Sequence, residues 1–324
     1  VGAVQAVLSA RLMLLRHLIL STAGRPGVER FVRNSRLTRR VVRRFIAGET
    51  ADSALSAAGE LREKGFRVTL DLLGEHVTDG ETADKATDEY ARLVERIASS
   101  PLHGGFMPEN VNVSVKLTQL GLVQDEARAT ERLRRIVAIA AETRNFVRVD
   151  MEDSSCTDAT LRAVKEVHCE HRGHVGTVLQ SMLRRTEADL EEMIREGIRI
   201  RLVKGAYAEP PEVAYQAKRD VDAAFLRCGY RLLSDGIYPA FGTHDSKMID
   251  ALIEHADREG IGRSRFEFQL LYGIRRDVQR DLLRRGYLVR VYVPYGERWY
   301  PYFTRRLAER PANLLFFLRS LVGK

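Results

Sequence analysis

The chain has 324 residues, 44% hydrophobic and 30% charged, which is enough apolar material for one large domain or two ordinary ones. Its 52 lysines and arginines against 44 acidic residues leave a net charge of +8, yet the acids are interspersed and no long basic tail occurs. That balance argues against a nucleic-acid partner and leaves an anionic membrane surface or an acidic substrate open. Three cysteines, Cys156, Cys169 and Cys228, are odd in number and form no CxxC, so a disulfide framework is disfavoured and a reducing, cytoplasmic setting fits best.

Residues 1–65 carry helical patterning and read as an N-terminal helical arm. Within it, the apolar run Val4 to Thr22 is interrupted by Arg11, Arg16 and His17, so it reads as an amphipathic helix and not as a secretion signal or a membrane span. Arginine-rich faces follow around Arg39 to Arg44, then an alanine-rich stretch from Ala51 to Leu61.

From residue 66 on, short β-branched runs alternate with amphipathic segments. Eight strands are predicted, at Arg67 to Leu72, Asn112 to Leu117, Phe146 to Met151, Gly176 to Gln180, Ile198 to Val203, Tyr238 to Gly242, Phe266 to Leu270 and Tyr287 to Tyr292. Intervening helices include Asp125 to Thr143, Thr157 to Val167, Glu187 to Glu196 and Val213 to Ser234. Eight β-then-α units imply an α/β fold, a (βα)8 barrel over residues 66–324. A doubly wound sheet is the alternative, but no dinucleotide fingerprint supports it. Gly260-Ile261-Gly262-Arg263-Ser264-Arg265 lacks the third glycine and precedes a strand, and no Walker A motif occurs.

Polar residues fall late in the strand runs, where a barrel keeps its active site. Lys116, Asp150 with Glu152, Gln180 and Lys204 each follow an apolar strand; Thr243, His244 and Asp245 follow Tyr-Pro-Ala-Phe-Gly; Gln269 sits within Phe-Glu-Phe-Gln-Leu-Leu. The cluster His168, Cys169, His171 and His174 lies between a helix and the fourth strand, at the opposite rim. It matches no standard zinc spacing, so these residues read as solvated polar groups on the surface and no metal site is expected. Lys204 admits three readings: a Schiff-base nucleophile, a cation beside an anionic cofactor with Gly205 allowing close approach, or a solvated strand end. His244 reads equally as a general acid/base or as a donor to a cofactor. Near the C-terminus, Pro301 suits the first position of a helix that aligns Tyr302, Arg305, Arg306 and Glu309 on one face. Two guanidiniums there suit a carboxylate, and the aromatic surround of Trp299, Tyr300, Tyr302 and Phe303 suits a small amphipathic acid.

The segments Ser114-Val115-Lys116-Leu117, Asp150-Met151-Glu152, Arg201 to Tyr207, Phe241 to Asp245, Phe266 to Gly273 and Tyr302 to Glu309 together resemble proline dehydrogenase, in order, from about Leu70 to Leu321. Ala206-Tyr207-Ala208-Glu209-Pro210 and the short length are similar to the bacterial monofunctional branch. The resemblance implies a distorted (βα)8 barrel that uses FAD to oxidise L-proline to Δ1-pyrroline-5-carboxylate. It also implies electron transfer to a membrane quinone, transient contact with a separate pyrroline-5-carboxylate dehydrogenase, and a cytoplasmic protein able to sit peripherally on the membrane.

By the same resemblance, Lys116, Arg305 and Arg306 bind the proline carboxylate, with Glu309 anchoring the arginines, while Tyr207, Leu271, Tyr292 and Tyr302 enclose the ring. Asp150 and Arg201 are the catalytic residues, Asp150 as part of the polar network beside the substrate. Met151, Gln180, Arg201, Val203, Lys204, Gly205, Ala206, Thr243, His244 and Gln269 contact FAD, with Arg201 near the flavin N5. The base that removes the amine proton is left unassigned.

Overall fold

The computed structural model describes residues 26–34, 38, 41–105 and 108–309; the predicted helix Val4 to Thr22 and the end of the chain lie outside them. Eight parallel strands follow one another around a closed barrel: β1 (Arg67–Leu72), β2 (Val111–Val115), β3 (Val147–Val149), β4 (Val175–Gln180), β5 (Arg199–Val203), β6 (Ala240–Gly242), β7 (Glu267–Leu271) and β8 (Leu288–Tyr295). The ring closes by β8 pairing with β1, from Arg67 opposite Arg290 to Leu72 opposite Tyr295. The helices of the described residues are α1 (Pro26–Asn34), α2 (Ala51–Glu63), α3 (Gly80–Ala98), α4 (Glu126–Glu142), α5 (Thr157–Glu170), α6 (Thr186–Arg195), α7 (Lys218–Asp235), α8 (Ser246–Arg258), α9 (Arg276–Arg284) and α10 (Trp299–Glu309).

Local chemistry starts several of these helices. Side-chain oxygens of Thr50, Asp79, Asp125 and Asp245 accept from the backbone N–H of Ser53, Thr82, Arg128 and Lys247, so each satisfies one of the donors that a helix N-terminus leaves over. One face of each helix from α2 to α9 then packs on the barrel in a continuous apolar core, to which α2, predicted within the arm, contributes Ala54, Ala57, Ala58 and Leu61.

Most boundaries shift by a residue or more from those expected of the sequence, and four of these differences have a clear local reason. β6 begins at Ala240 because Tyr238 takes a positive φ of 46° and Pro239 has no N–H for a ladder. β3 ends at Val149, although Asp150 N still donates to Val115 O at 2.8 Å, so the chain stays close to β2 just where it turns over the rim. α7 starts at Lys218, not Val213, because Arg184 N donates to Val213 O and Tyr215 N to Met182 O, which ties that stretch to the loop after β4. In α10, Pro301 is the third residue; the first four N–H groups of a helix lack intrahelical acceptors, so it removes no helical bond there.

The barrel interior is polar over much of its depth, in contrast to the branched apolar layers usual in this architecture. At the N-terminal end Arg199 donates to both oxygens of Glu109 at 2.5 and 3.1 Å, and Arg290 pairs with Glu267 at 2.7 Å. These residues come from β5, β7, β8 and the approach to β2, so they meet across the lumen, and all are 2% exposed or less. A second, smaller core seats α10: Phe303 is fully buried, its ring centroid 6.2 Å from Phe45 and 5.9 Å from Trp299. Truncating such a ring costs about 3–5 kcal/mol, so this contact holds α10 over the C-terminal rim.

Candidate active site

Strand ends and α10 together enclose a cavity of about 1160 Å³ at the C-terminal end of the barrel. The substrate, cofactor and catalytic residues expected from the sequence all line it. Lys116, Asp150, Met151 and Gln180 come from the ends of β2, β3 and β4. Arg201 and Val203 belong to β5, followed by Lys204, Gly205, Ala206 and Tyr207. Thr243 and His244 follow β6, Gln269 and Leu271 belong to β7, Tyr292 to β8, and Tyr302, Arg305 and Arg306 to α10.

The centre of the floor is a chain of charge-assisted bonds. Asp150 accepts from Arg201, from Ser114 Oγ at 2.5 Å and from Tyr292 Oη at 2.6 Å, and Lys116 Nζ lies 3.8 Å away. Burial alone would raise the Asp150 pKa, but the charges of Arg201 and Lys116 and these hydrogen bonds overcome it, so the carboxyl lies below its ordinary value. Arg201 also donates to Gln269 Oε1 at 3.1 Å, and Gln269 Nε2 donates to Glu267 Oε1 at 2.6 Å, which links the site to the buried ion pairs below. Gln180 Nε2 donates to Glu152 O at 2.7 Å, while the Glu152 carboxylate accepts from Thr118 N and Oγ1.

Two residues that the sequence did not single out complete the cationic side. Asp71, 1% exposed at the end of β1, accepts from Lys116 Nζ at 2.7 Å. Its position in Arg67-Val-Thr-Leu-Asp-Leu, one pleat beyond the inward-facing Thr69, was the available signal. Burial raises the Asp71 pKa; Lys116 opposes that shift without cancelling it, and the Asp150 charge adds to it. Lys116 itself is held above its ordinary value: burial works against its charge and the two carboxylates prevail. Glu75, in the loop after β1, accepts from Arg305 NH1 at 2.6 Å. The side chain of Glu309, the residue expected to anchor the arginines, lies outside the described residues. The Arg306 guanidinium carbon lies 5.0 Å from the centroid of the Tyr302 ring.

The contacts of Lys204 and His244 reduce the roles open to each. Lys204 Nζ donates to Asp222 and, at 2.8 Å, to Asp245, so the amine is tied to two carboxylates and not left open to a carbonyl carbon, as a Schiff-base lysine would be. His244 Nε2 accepts the Leu271 N–H at 3.0 Å, which places the proton of a neutral ring on Nδ1 and orients the side chain as a fixed wall element. His168 is not the solvated surface group expected: it is a buried residue of α5, while the His174 ring bonds Asn145 O at 2.8 Å.

The proline dehydrogenase family profile matches residues 54–319. The chain belongs to that family. It is 40% identical over 313 residues to the proline dehydrogenase of Deinococcus radiodurans, covering 95% of this chain and 98% of that protein. Proline dehydrogenase 2 of Bacillus subtilis (strain 168) is 40% identical over 281 residues, 87% of this chain and 90% of that one. Among solved structures, the family's barrel recurs in proline utilization A of Bdellovibrio bacteriovorus inactivated by N-propargylglycine, with a TM-score of 0.77 and 29% identity over 84% of this chain, which spans 33% of that longer protein.

Proposed function

We propose that the chain is an FAD-dependent proline dehydrogenase, oxidising L-proline to Δ1-pyrroline-5-carboxylate and passing electrons to a membrane quinone. The observation that carries this reading is the convergence in one cavity of Lys116, Arg305 and Arg306 with Tyr207, Leu271, Tyr292 and Tyr302. Three cations suit a single carboxylate, and the rings and leucine beside them suit a compact apolar body.

Room for a flavin beside the substrate is supported by the cavity's size, above the roughly 300–1,000 Å³ of ordinary small-ligand sites. Gly205, which lines the cavity, supports it too: its φ of +111° is one that favours glycine, so the wall after β5 presents bare backbone to the site. The buried Nε of Arg201 has no hydrogen-bond partner, and a polar cofactor atom would satisfy that donor. Met151, Gln180, Arg201, Val203, Lys204, Gly205, Ala206, Thr243, His244 and Gln269 would hold the cofactor. A flavin bound there supplies the hydride acceptor. The chain's own contribution is positioning: cations fix the substrate carboxylate, the tyrosines confine the ring, and Asp150 holds Arg201 and Tyr292 in place.

The quinone acceptor implies an approach to a membrane. A net charge of +8 supports weak docking on anionic lipid, with the N-terminal arm as the contact; among the described residues no helix is long and apolar enough to cross a bilayer. The product would pass to a separate pyrroline-5-carboxylate dehydrogenase. Anaerobic titration tests the central claim: proline should bleach the flavin, whereas tetrahydrofuran-2-carboxylate should bind and perturb the spectrum without bleaching it, because its ring oxygen stabilises a developing cation less well than nitrogen. A flavin-loaded protein that proline leaves yellow refutes the assignment.

A further inference from the structure

We propose that Asp71 is the catalytic base that takes the proton from the amine of the bound substrate. The inference rests on the proline reading above. Its geometry starts at Lys116, one of the three cations expected at the substrate carboxylate. In an α-amino acid the nitrogen sits on the carbon next to the carboxylate, so a molecule held at Lys116 brings its N–H groups beside whatever flanks that lysine. Two carboxylates flank it, Asp71 at 2.7 Å and Asp150 at 3.8 Å.

Hydrogen bonding separates them. Both oxygens of Asp150 are committed, Oδ1 to Ser114 and Arg201 and Oδ2 to Tyr292. Asp71, which lines the cavity, uses only Oδ1; its Oδ2 is buried with no hydrogen-bond partner, so a turn of the carboxyl group is what brings it to a substrate N–H. The Tyr292 hydroxyl also faces Asp71, but it has one proton and gives it to Asp150 Oδ2. An unpaired buried carboxylate oxygen is costly to maintain, about 1–3 kcal/mol or more, and an arriving N–H donor removes that cost. The charged and titratable groups around Asp71 are Lys116 from the end of β2, Asp150 from the end of β3, Tyr292 and Tyr295 from β8, and Tyr90 from α3. Their sum with burial makes Asp71 the better proton acceptor, since its pKa is raised while that of Asp150 is lowered.

In the step, one N–H bond of the ammonium breaks and its electron pair stays on nitrogen, while an O–H bond forms at Asp71 Oδ2. Ammonium and carboxylate both become neutral, and the nitrogen lone pair is then available to the ring carbon that loses hydride. Neutralising Asp71 also weakens its hold on Lys116, whose ammonium turns to the substrate carboxylate, so proton transfer and carboxylate binding reinforce each other.

The test is Asp71→Asn, which keeps the shape and removes the basicity. At neutral pH kcat/KM for proline should fall about 100-fold or more, and should then rise with unit slope as pH increases, because only proline that is already neutral reacts. Affinity for tetrahydrofuran-2-carboxylate, which has no N–H to give, should be retained or rise, because a neutral side chain at position 71 leaves the Lys116 ammonium to the carboxylate. A loss under about tenfold with the wild-type pH profile overturns the assignment; so does an affinity for the oxygen analogue that falls as far as turnover, which would make Asp71 only a support for Lys116. Wild-type protein decides independently should the variant not fold. An infrared difference spectrum of the chemically reduced enzyme should gain a protonated-carboxyl band with proline and not with the oxygen analogue, and its absence overturns the proposal. If wild-type enzyme is not bleached by proline, the substrate reading falls; if it is bleached and the Asp71 results fail, only the base assignment falls.

Discussion

Arg305→Met tests how the α10 arginines work, and its size follows from what each nitrogen of the fork contacts. NH1 donates to Glu75 at 2.6 Å, which leaves the rest of the fork for a substrate carboxylate. Losing a charge-assisted bond to that carboxylate costs about 1.5–3 kcal/mol, so the proline KM should rise about 10- to 150-fold with flavin still bound. Glu75 acts only by aiming the guanidinium. With side chains 43% and 25% exposed, this pair is discounted to at most about 1 kcal/mol, so Glu75→Gln should raise KM no more than about fivefold. The double variant should then match Arg305→Met alone, because with the arginine gone Glu75 has nothing to aim. Steady-state kinetics with flavin occupancy measured in each preparation makes the comparison. An unchanged KM in Arg305→Met, or full additivity in the double variant, would falsify this arrangement.

Arg201→Ala should destabilise the fold by about 3–5 kcal/mol by leaving Asp150 buried without its main cation. It should also lose flavin or shift its reduction potential; urea unfolding and potentiometry check both, and wild-type values in each would refute the role. Glu109 is held down to about 2: burial would raise it, and Arg199 and Arg290 overcome that. A carboxylate whose folded pKa is depressed contributes stability that is present above its unfolded value, about 4.3, and lost as pH falls through the folded one. The stability difference between wild type and Glu109→Gln should therefore shrink from about pH 4 to about pH 2, and a pH-independent difference would contradict it. Binding to anionic vesicles should be salt-sensitive and lost on truncation before Leu37; equal sedimentation of both forms would reject docking by the arm.

The fold was legible because its signals are local. A β-branched run needs only its own side chains to favour extended backbone, and Thr50, Asp79 and Asp125 cap helices from three residues away or fewer. Lys116, Gln180, Lys204 and Gln269 could be read as rim residues because a barrel gathers the ends of all its strands on one face, so a polar residue at the end of an apolar run stands out. Asp71 obeys the same rule and was passed over, since one aspartate in a strand already carrying Arg67 and Thr69 makes little contrast. His168 was misread because the helix of α5 runs through Glu170 and turns that imidazole inward.

Which charge meets which was decided only by the closed barrel. Lys116 and Asp71 are 45 positions apart, Arg201 and Asp150 51, Arg305 and Glu75 230. Sequence chemistry makes each of these residues a candidate for many partners; electrostatic coupling depends on separations of a few ångströms and on the water displaced around them. By itself the sequence determined a β-then-α repeat, the rim on which its polar residues gather, and the order of motifs that places it in its family. The tertiary structure decided that Glu75 aims Arg305, that two aspartates hold Lys204, and that of the two carboxylates beside Lys116 one has both oxygens hydrogen-bonded and the other has a buried oxygen without a partner. No local pattern encodes those distances, because they exist only once β8 has closed on β1.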